Sequence, residues 1–407
     1  MSISKRAWLV VYSGLGVNLS LGVLYSWGVI SAALIDDLNW TATQTQIPYM
    51  IASAVFALTM VPAGRLQDRL GPRLVLLVAS VLAGAGFILS GFSLTVGGLV
   101  VFFGLVFGLA MGFGYASPTP AAVKWFHPDH RGYISGMVVS GFGLAPVYIA
   151  PLTSFLVETT GLSTAFIILG ALFFTTVFSL SFFIINPPEG FERIRLKKKP
   201  RRLHPVAKEE RDYYEMLKTH QFYLLWTLFF FGTFAGLQII GQMSKIGLEQ
   251  ANISNSFLLV VVYALFNFIG RITWGTISDY IGRTATLFAM FVIQAAVFFS
   301  FSALTSPLAL LIGKSFVGFT FGGMLSLFPA ITADYYGMKN LGVNYGLMIT
   351  AWGVGGILGP LFGGMTRDIT GGYSSAYLIS AILSTIGAVI SLMIRHPDRS
   401  STQETAV

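Results

Sequence analysis

The sequence predicts an all-α integral membrane protein: twelve transmembrane helices arranged as two pseudo-symmetric six-helix bundles. Three observations predict it. Of the 407 residues, 54% are hydrophobic and only 10% charged, with a mean hydropathy of +0.73, whereas a soluble domain carries about 25% charged residues. The apolar residues gather into twelve segments, each near the roughly 20 residues needed to cross a hydrocarbon core. The two halves of the chain also repeat one pattern at a displacement near half its length.

Divided at charged or Gly/Pro-rich breaks, the segments run 8–34, 44–67, 73–94, 97–125, 131–158, 163–185, 221–248, 253–279, 283–304, 307–335, 342–367 and 374–395. They are hydrophobic all round, which excludes amphipathic surface helices, and too long for barrel strands of about ten alternating residues. The first has no small-residue cleavage site after its apolar run and reads as a retained helix, not a signal peptide. Spans one to six make an N-terminal bundle over 1–185, and spans seven to twelve a C-terminal bundle over 221–395. Between them, 186–220 is a hydrophilic loop with Pro187, Pro188, Pro200 and Pro205 and the run Arg195 to Lys199, read as a solvated linker near anionic headgroups. Residues 396–407 form a tail.

Lys5, Arg6, Arg65, Arg69, Arg73, Lys124, Arg131, the run from Arg193 to Lys218, Arg283, Lys339, Arg395 and Arg399 all fall on one side. The opposite loops hold little beyond Lys245 and Arg367. By the positive-inside rule the basic side, both termini and the central loop are cytoplasmic, and the minimal loops suggest a prokaryotic inner membrane. The formal charge of +8 therefore points to membrane lipid rather than nucleic acid. With no Cys, and with His127, His130, His204, His220 and His396 in loops or at helix ends, no metal cluster is expected within the membrane. No cofactor is expected.

Gly64-Arg65-Leu66-Gln67-Asp68-Arg69-Leu70-Gly71-Pro72-Arg73 after span two matches Gly275-Thr276-Ile277-Ser278-Asp279-Tyr280-Ile281-Gly282-Arg283 after span eight, displaced by 211. Gly132, Gly136 and Gly143 recur as Gly342, Gly346 and Gly353, displaced by 210. The Gly-x-x-x-Asp-x-x-Gly element supplies a tight turn, a carboxylate near the next helix start and a cation to pair with it. Asp68, Arg69, Arg73, Asp279 and Arg283 are thus expected to brace and gate the helices rather than bind substrate. These turns resemble the signature loop of the major facilitator superfamily, along essentially the whole chain. That resemblance implies a central cavity opening alternately to each side. Lys124-Trp125-Phe126-His127-Pro128-Asp129-His130-Arg131-Gly132, Asn267-Phe268-Ile269-Gly270-Arg271, Gly322-Gly323 with Phe328-Pro329, and Tyr25-Ser26-Trp27 are similar to the monocarboxylate transporters and the related oxalate/formate exchangers.

A charge in mid-membrane costs at least about 2.5 kcal/mol, which makes each one a functional candidate. Arg271 lies eight residues before Asp279, about 12 Å deep, with no acidic residue mid-span to neutralise it. Its planar fork suits a carboxylate, and in the resembled family this arginine binds substrate carboxylate. Lys314 is about 10 Å inside span ten, where its long stem is expected to snorkel outward; its alternative role is a cation drawing anions into an outer vestibule. Tyr115 stands at the level of Arg271, ahead of Ser117, Pro118 and Pro120, which break the helical ladder where backbone lines a cavity. Trp352 is at similar height and Asn267 lies one turn from Arg271. By resemblance, aromatic positions of the exchangers fall on Tyr25, Tyr115, Phe142 and Phe321. For each aromatic the alternative is helix packing or lipid contact.

The chain departs from both resembled groups. Trp352 stands where the exchangers carry a lysine, and one cation suits one carboxylate better than a dianion. Asn267 stands where proton-coupled monocarboxylate transporters carry an aspartate, and Val29 where they carry a lysine. The reading is a secondary transporter of small monocarboxylates, of the lactate and pyruvate class, moving with a proton that travels with the bound acid. An exchanger without proton coupling is the alternative, and a non-transporting membrane sensor the alternative of another class. There is no nucleotide-binding loop, so no nucleotide partner is expected, and no mid-span catalytic set, so no enzyme. A monomer suffices.

Overall fold

In the computed structural model, residues 3–196, 209–253 and 256–394 are described. Lys197 to Lys199, Pro200, His204, Pro205, Arg395, His396 and Arg399 lie outside them, as does the side chain of Lys245. Among the described residues twelve helices are long and apolar enough to cross a membrane. They are α1 (Ser4–Leu38), α2 (Gln44–Leu70), α3 (Pro72–Phe92), α4 (Val96–Lys124), α5 (Pro128–Thr160), α6 (Leu162–Ser181), α7 (His220–Ile240), α8 (Leu259–Ile281), α9 (Arg283–Ala303), α10 (Pro307–Tyr336), α11 (Leu341–Arg367) and α12 (Ser374–Met393). Helix α1 reaches further than its apolar run because Lys5, Arg6, Asp36 and Asp37 sit at its ends, where charge does not stop a helix.

Three helices change geometry along their length or at an end. Helix α1 tightens into a 3-10 turn over Gly22–Ser26. Helix α4 carries a π segment over Val100–Phe107 and breaks at Ser117, ahead of Pro118 and Pro120. Helix α7 was expected to run on to 248, but the chain bends at Gln242 (φ −116, ψ 14) and resumes as a short helix, Met243–Ala251.

The bundles meet along two seams, α5 against α8 and α2 against α11. The elements repeated in the sequence prove to be each other's partners. Gly132 lies against the backbone of Gly275, and Gly64 against that of Gly342, so each glycine admits a neighbouring helix where no side chain fits. These contacts lie on the face that carries the two signature turns, here termed the basic face. Every residue of α10 from 320 to 336 is buried, whereas burial alternates over 307–319. The bundles are thus closed together at the basic face and looser toward the opposite one.

The two signature carboxylates do not cap the next helix of their own bundle, as expected, but cross to the other bundle. Asp279 accepts from the Gly132 and Tyr133 amides at 2.9 and 2.8 Å, and Asp68 from those of Gly342 and Val343 at 3.1 and 2.9 Å. The seams are unequal in charge. At α5–α8, Arg283 pairs with Asp279 (2.7 Å) and Asp334 (2.8 Å), and Asp334 pairs with Arg131 across the interface (2.7 Å). At α2–α11, Asp68 joins no ion pair among the described residues. Lys124 and Leu341 occupy the places equivalent to Asp334 and Arg131. Arg69 is exposed, and Arg73 stacks over Phe182 at 4.4 Å instead of pairing with Asp68.

The described parts of the central loop are largely exposed but are tied to the bundles at a few points. Residue Ile194 pairs with the segment before α5, its N–H donating to Trp125 (3.0 Å) and its carbonyl accepting from His127 (2.9 Å). Glu210 accepts from the amides of Met338 and Lys339 at 2.6 and 2.7 Å, and the Arg211 amide donates to the Tyr336 carbonyl at 3.0 Å. One stretch is tied to each bundle.

A bulkier residue in a glycine seam should pry it open. A Cβ at Gly342 would sit 2.6 Å from Gln67 Oε1 and 2.9 Å from Asp68 Oδ1. In Gly342→Val, a cysteine introduced at Leu325, in the buried stretch of α10, should be labelled several-fold faster by an impermeant thiol reagent added at the basic face. The chain has no other Cys to obscure the signal. Unchanged labelling would show that this seam is not what closes the face.

Candidate functional site

The unusual residue of the interior is Arg271, fully buried at mid-length in α8. Helical spacing places Tyr263, Asn267 and Arg271 on one stripe, four residues apart. The guanidinium uses Nε to donate to Asn267 Oδ1 at 2.8 Å and Nη1 to donate to the Val139 carbonyl of α5 in the other bundle. Its Nη2 has no protein partner. Gly143, where a side chain would strike the guanidinium and Asn267, makes room for it.

Around this cation lies a set of neutral polar groups. It acts electrostatically on the hydroxyls of Tyr25, Tyr115, Tyr263 and Tyr345. Tyr115 neighbours Tyr345 and Arg271, and Tyr25 neighbours Trp352, but none of the four hydroxyls, nor Trp352 Nε1 or Asn267 Nδ2, is held in a well-formed hydrogen bond. Buried polar groups are ordinarily paired. Seven such groups in one place, counting Arg271 Nη2, form a donor-rich shell with no carboxylate.

A small cavity adjoins this set through Tyr25, Tyr115 and Trp352 and is completed by Phe56, Phe142, Leu325 and Ile349, with Arg271 behind its wall; it has room for about one water. Its walls are aromatic pairs. Tyr25 meets Phe142 at 5.2 Å between centroids, Tyr115 meets Phe142 at 5.4 Å and Phe56 meets Trp352 at 5.0 Å. Phe321 is buried beside Tyr25 (6.4 Å) and Tyr263 (6.5 Å). The Phe56–Trp352 and Tyr25–Phe321 pairs join the two bundles, so any relative movement of the bundles reshapes the cavity. Tyr25 alone among the named aromatics is only half-buried, which places it at the cavity's looser end.

The structure thus brings Tyr25, Tyr115, Phe142, Asn267, Arg271, Phe321 and Trp352 together. It adds three that the sequence reading missed: Phe56, Tyr263 and Tyr345. Of these, Tyr263 had a signal, the four-residue spacing to Asn267 and Arg271. Asp68, Asp279 and Arg283, expected to brace and gate, lie apart at the basic face. Lys314 does not snorkel: it is 1% exposed and donates to the Met243 carbonyl at 2.9 Å.

Two six-helix bundles meeting around a buried arginine and an aromatic-lined cavity form the two-bundle architecture of membrane transporters. The Major Facilitator Superfamily model matches residues 13–270 and 243–406, and the chain belongs to that superfamily. It is 28% identical over 397 residues to the oxalate:formate antiporter of Oxalobacter formigenes, covering 96% of this chain and 92% of that one. It is 23% identical over 397 residues to monocarboxylate transporter 13 of Rattus norvegicus, covering 96% and 89%. The fold matches the crystal structure of FucP, a major facilitator transporter in the outward conformation, with a TM-score of 0.70 at 14% identity, covering 95% of this chain and 99% of that one. The protein is a multi-pass membrane protein.

Proposed function

We propose that the protein carries small monocarboxylates of the lactate and pyruvate class across the membrane, together with a proton, by alternating access around Arg271. One observation carries this reading: a buried guanidinium with an unused donor, ringed by neutral donors and, among the described residues, by no acidic side chain. A carboxylate there gains charge-assisted bonds from Arg271 and neutral ones from Tyr115, Tyr345, Asn267 and Trp352. The aromatic walls of Phe142, Phe321, Phe56 and Trp352 limit its size. A dianion such as oxalate leaves its second charge facing neutral groups in a low dielectric, which disfavours it. The name of one relative, a monocarboxylate transporter, supports this substrate class; that of the other, an oxalate:formate antiporter, supports carboxylates more broadly and favours the exchange alternative.

Within this reading the basic face is cytoplasmic, with both termini, in a prokaryotic inner membrane, and the monomer is the working unit. The closed basic face then corresponds to a state that loads from outside. The residues over 1–185 and 221–395 act as the two moving bodies.

The test is uptake of labelled lactate, pyruvate, acetate, formate and oxalate into proteoliposomes, with and without an inward proton gradient. Lactate or pyruvate should accumulate several-fold over the ungraded control, and oxalate should not. Accumulation that ignores the gradient but requires a carboxylate preloaded inside would replace symport by exchange. Absence of any saturable flux would remove the transport reading.

A further inference from the structure

A second cleft, of about 370 Å³, opens at the basic face, apart from the cavity beside Arg271, and takes part of its lining from each bundle. Lys124, at the end of α4, and Asn186 and Arg193, in the connection after α6, belong to the N-terminal side. Lys339 lies in the turn between α10 and α11, and Glu210 is fastened to that turn by the amides of Met338 and Lys339. Three cations thus meet one carboxylate, and among the described residues none of the three side chains makes a hydrogen bond or an ion pair. The side-chain oxygen of Asn186 is buried without a partner. The carboxylates that act electrostatically on Lys124 are Asp68 and Glu210. Both are spent on backbone amides, Asp68 on Gly342 and Val343 and Glu210 through Oε2, and neither forms an ion pair with the ammonium. Glu189 and Glu192 stand exposed in the same connection but do not line the cleft.

We propose that this cleft binds a phosphate-bearing anion, and that the bound anion clasps the two bundles together at the basic face. Its volume lies within the range of roughly 300–1,000 Å³ typical of small-ligand sites. A phosphate suits the donor set better than a carboxylate does. Its three terminal oxygens can meet cations arriving from three separate elements, whereas the two oxygens of a carboxylate lie in one plane. Arg193 can take two of those oxygens as a fork, while Lys124 and Lys339 act as point charges. The Asn186 amide supplies a neutral contact at the wall.

The duplication of the chain leads to the same site. At the α5–α8 seam Asp334 joins Arg283 to Arg131. The equivalent place beside α2 and α11, displaced by 210, is Lys124. Where one seam is fastened by a carboxylate of the chain, the other presents a cation, and an anion from outside the chain restores the missing charge. Such an anion reaches both bundles only while they are together, so its binding favours the closed basic face by its difference in affinity between the two states. The same phosphate chemistry is offered by a soluble phosphate or phosphomonoester and by the headgroup of an anionic lipid.

The experiment uses the full chain carrying Leu325→Cys, in nanodiscs of phosphatidylcholine, whose own cation neutralises its phosphate. Inorganic phosphate is the probe, and chloride at matched ionic strength is the control. Radiolabelled phosphate should bind saturably, and labelling of the cysteine from the basic face should slow by at least about threefold. Lys124→Gln and Arg193→Gln should each weaken phosphate binding by at least about tenfold and cancel the slowing. Lys218→Gln, outside the cleft and stacked over Tyr214, should do neither. Arg193 is exposed, so its replacement tests the site even where Lys124→Gln fails to fold. Slowing in nanodiscs that contain phosphatidylglycerol, abolished by the two substitutions and not increased by phosphate, assigns the site to a lipid headgroup. Protection by neither phosphate nor phosphatidylglycerol overturns the proposal. Binding or protection that survives both substitutions also overturns it, showing a diffuse basic surface, and binding that leaves labelling unchanged overturns the clasp.

Discussion

Arg271→Gln should abolish saturable uptake, with a fall in kcat/KM of at least about 100-fold for lactate, while the protein still inserts and purifies as a monodisperse species. Truncating one partner of a buried charge pair costs about 2–5 kcal/mol, and every 1.4 kcal/mol is about tenfold. Glutamine is shorter but ends near the position of the arginine Nε, so it can keep the Asn267 contact while giving up the Val139 carbonyl and the charge. Arg271→Lys should fail nearly as badly, because a single ammonium cannot serve Asn267, Val139 and a carboxylate in one plane. Uptake by Arg271→Gln within about threefold of wild type would remove Arg271 from the site. Tightened binding with slowed turnover would point instead to the Val139 contact as a conformational latch.

The second large effect is expected at Asp334→Asn. The α5–α8 seam buries two arginines and two aspartates in balance, Arg131 and Arg283 against Asp279 and Asp334. Removing one carboxylate leaves an uncompensated positive charge in the closed seam, a cost of about 3–5 kcal/mol. The closed basic face should therefore lose two or more orders of magnitude in population relative to the open one. Spin labels or fluorophores on Ser135 and Ser326, which touch across the seam in the structure, should move apart. Net transport should slow, while equilibrium lactate affinity changes far less. Labels that stay together would show that glycine packing, not charge, closes this seam. Asp279→Asn should act in the same direction, and Asp68→Asn more weakly, because Asp68 holds only two backbone amides.

The architecture was legible because crossing a bilayer imposes a length and a composition on every span, and because duplicated turns keep their glycines and aspartates. What the turns do was less legible. The partners of Asp68 lie at Gly342 and Val343, far along the chain, and no local pattern announces a contact between halves. The site was legible where charge marked it. Arg271 stood out in an apolar span, and depth counting drew Tyr115 and Trp352 to the same level. Phe56 and Tyr345 were missed because an aromatic in an apolar helix has the same local sequence whether it faces a cavity, a neighbour or lipid. Lys314 shows the converse limit. Its distance from the helix end said how far the stem could reach, but not that its rotational position aimed it at the bend of α7. That bend falls beside Gln242 with no proline to signal it.

The inequality of the two seams also sets the manner of opening. If the α5–α8 seam is fastened by four charges and the α2–α11 seam by one carboxylate on two amides, the weaker line releases first. The stronger then acts as the pin of a door. Parting on the basic face becomes a swing about α5 and α8, not a parallel retreat, and the widest gap forms beside α2 and α11. A departing molecule would leave along Trp352 and Phe56 rather than past Arg131, and the exit lane is uneven before any substrate has entered it.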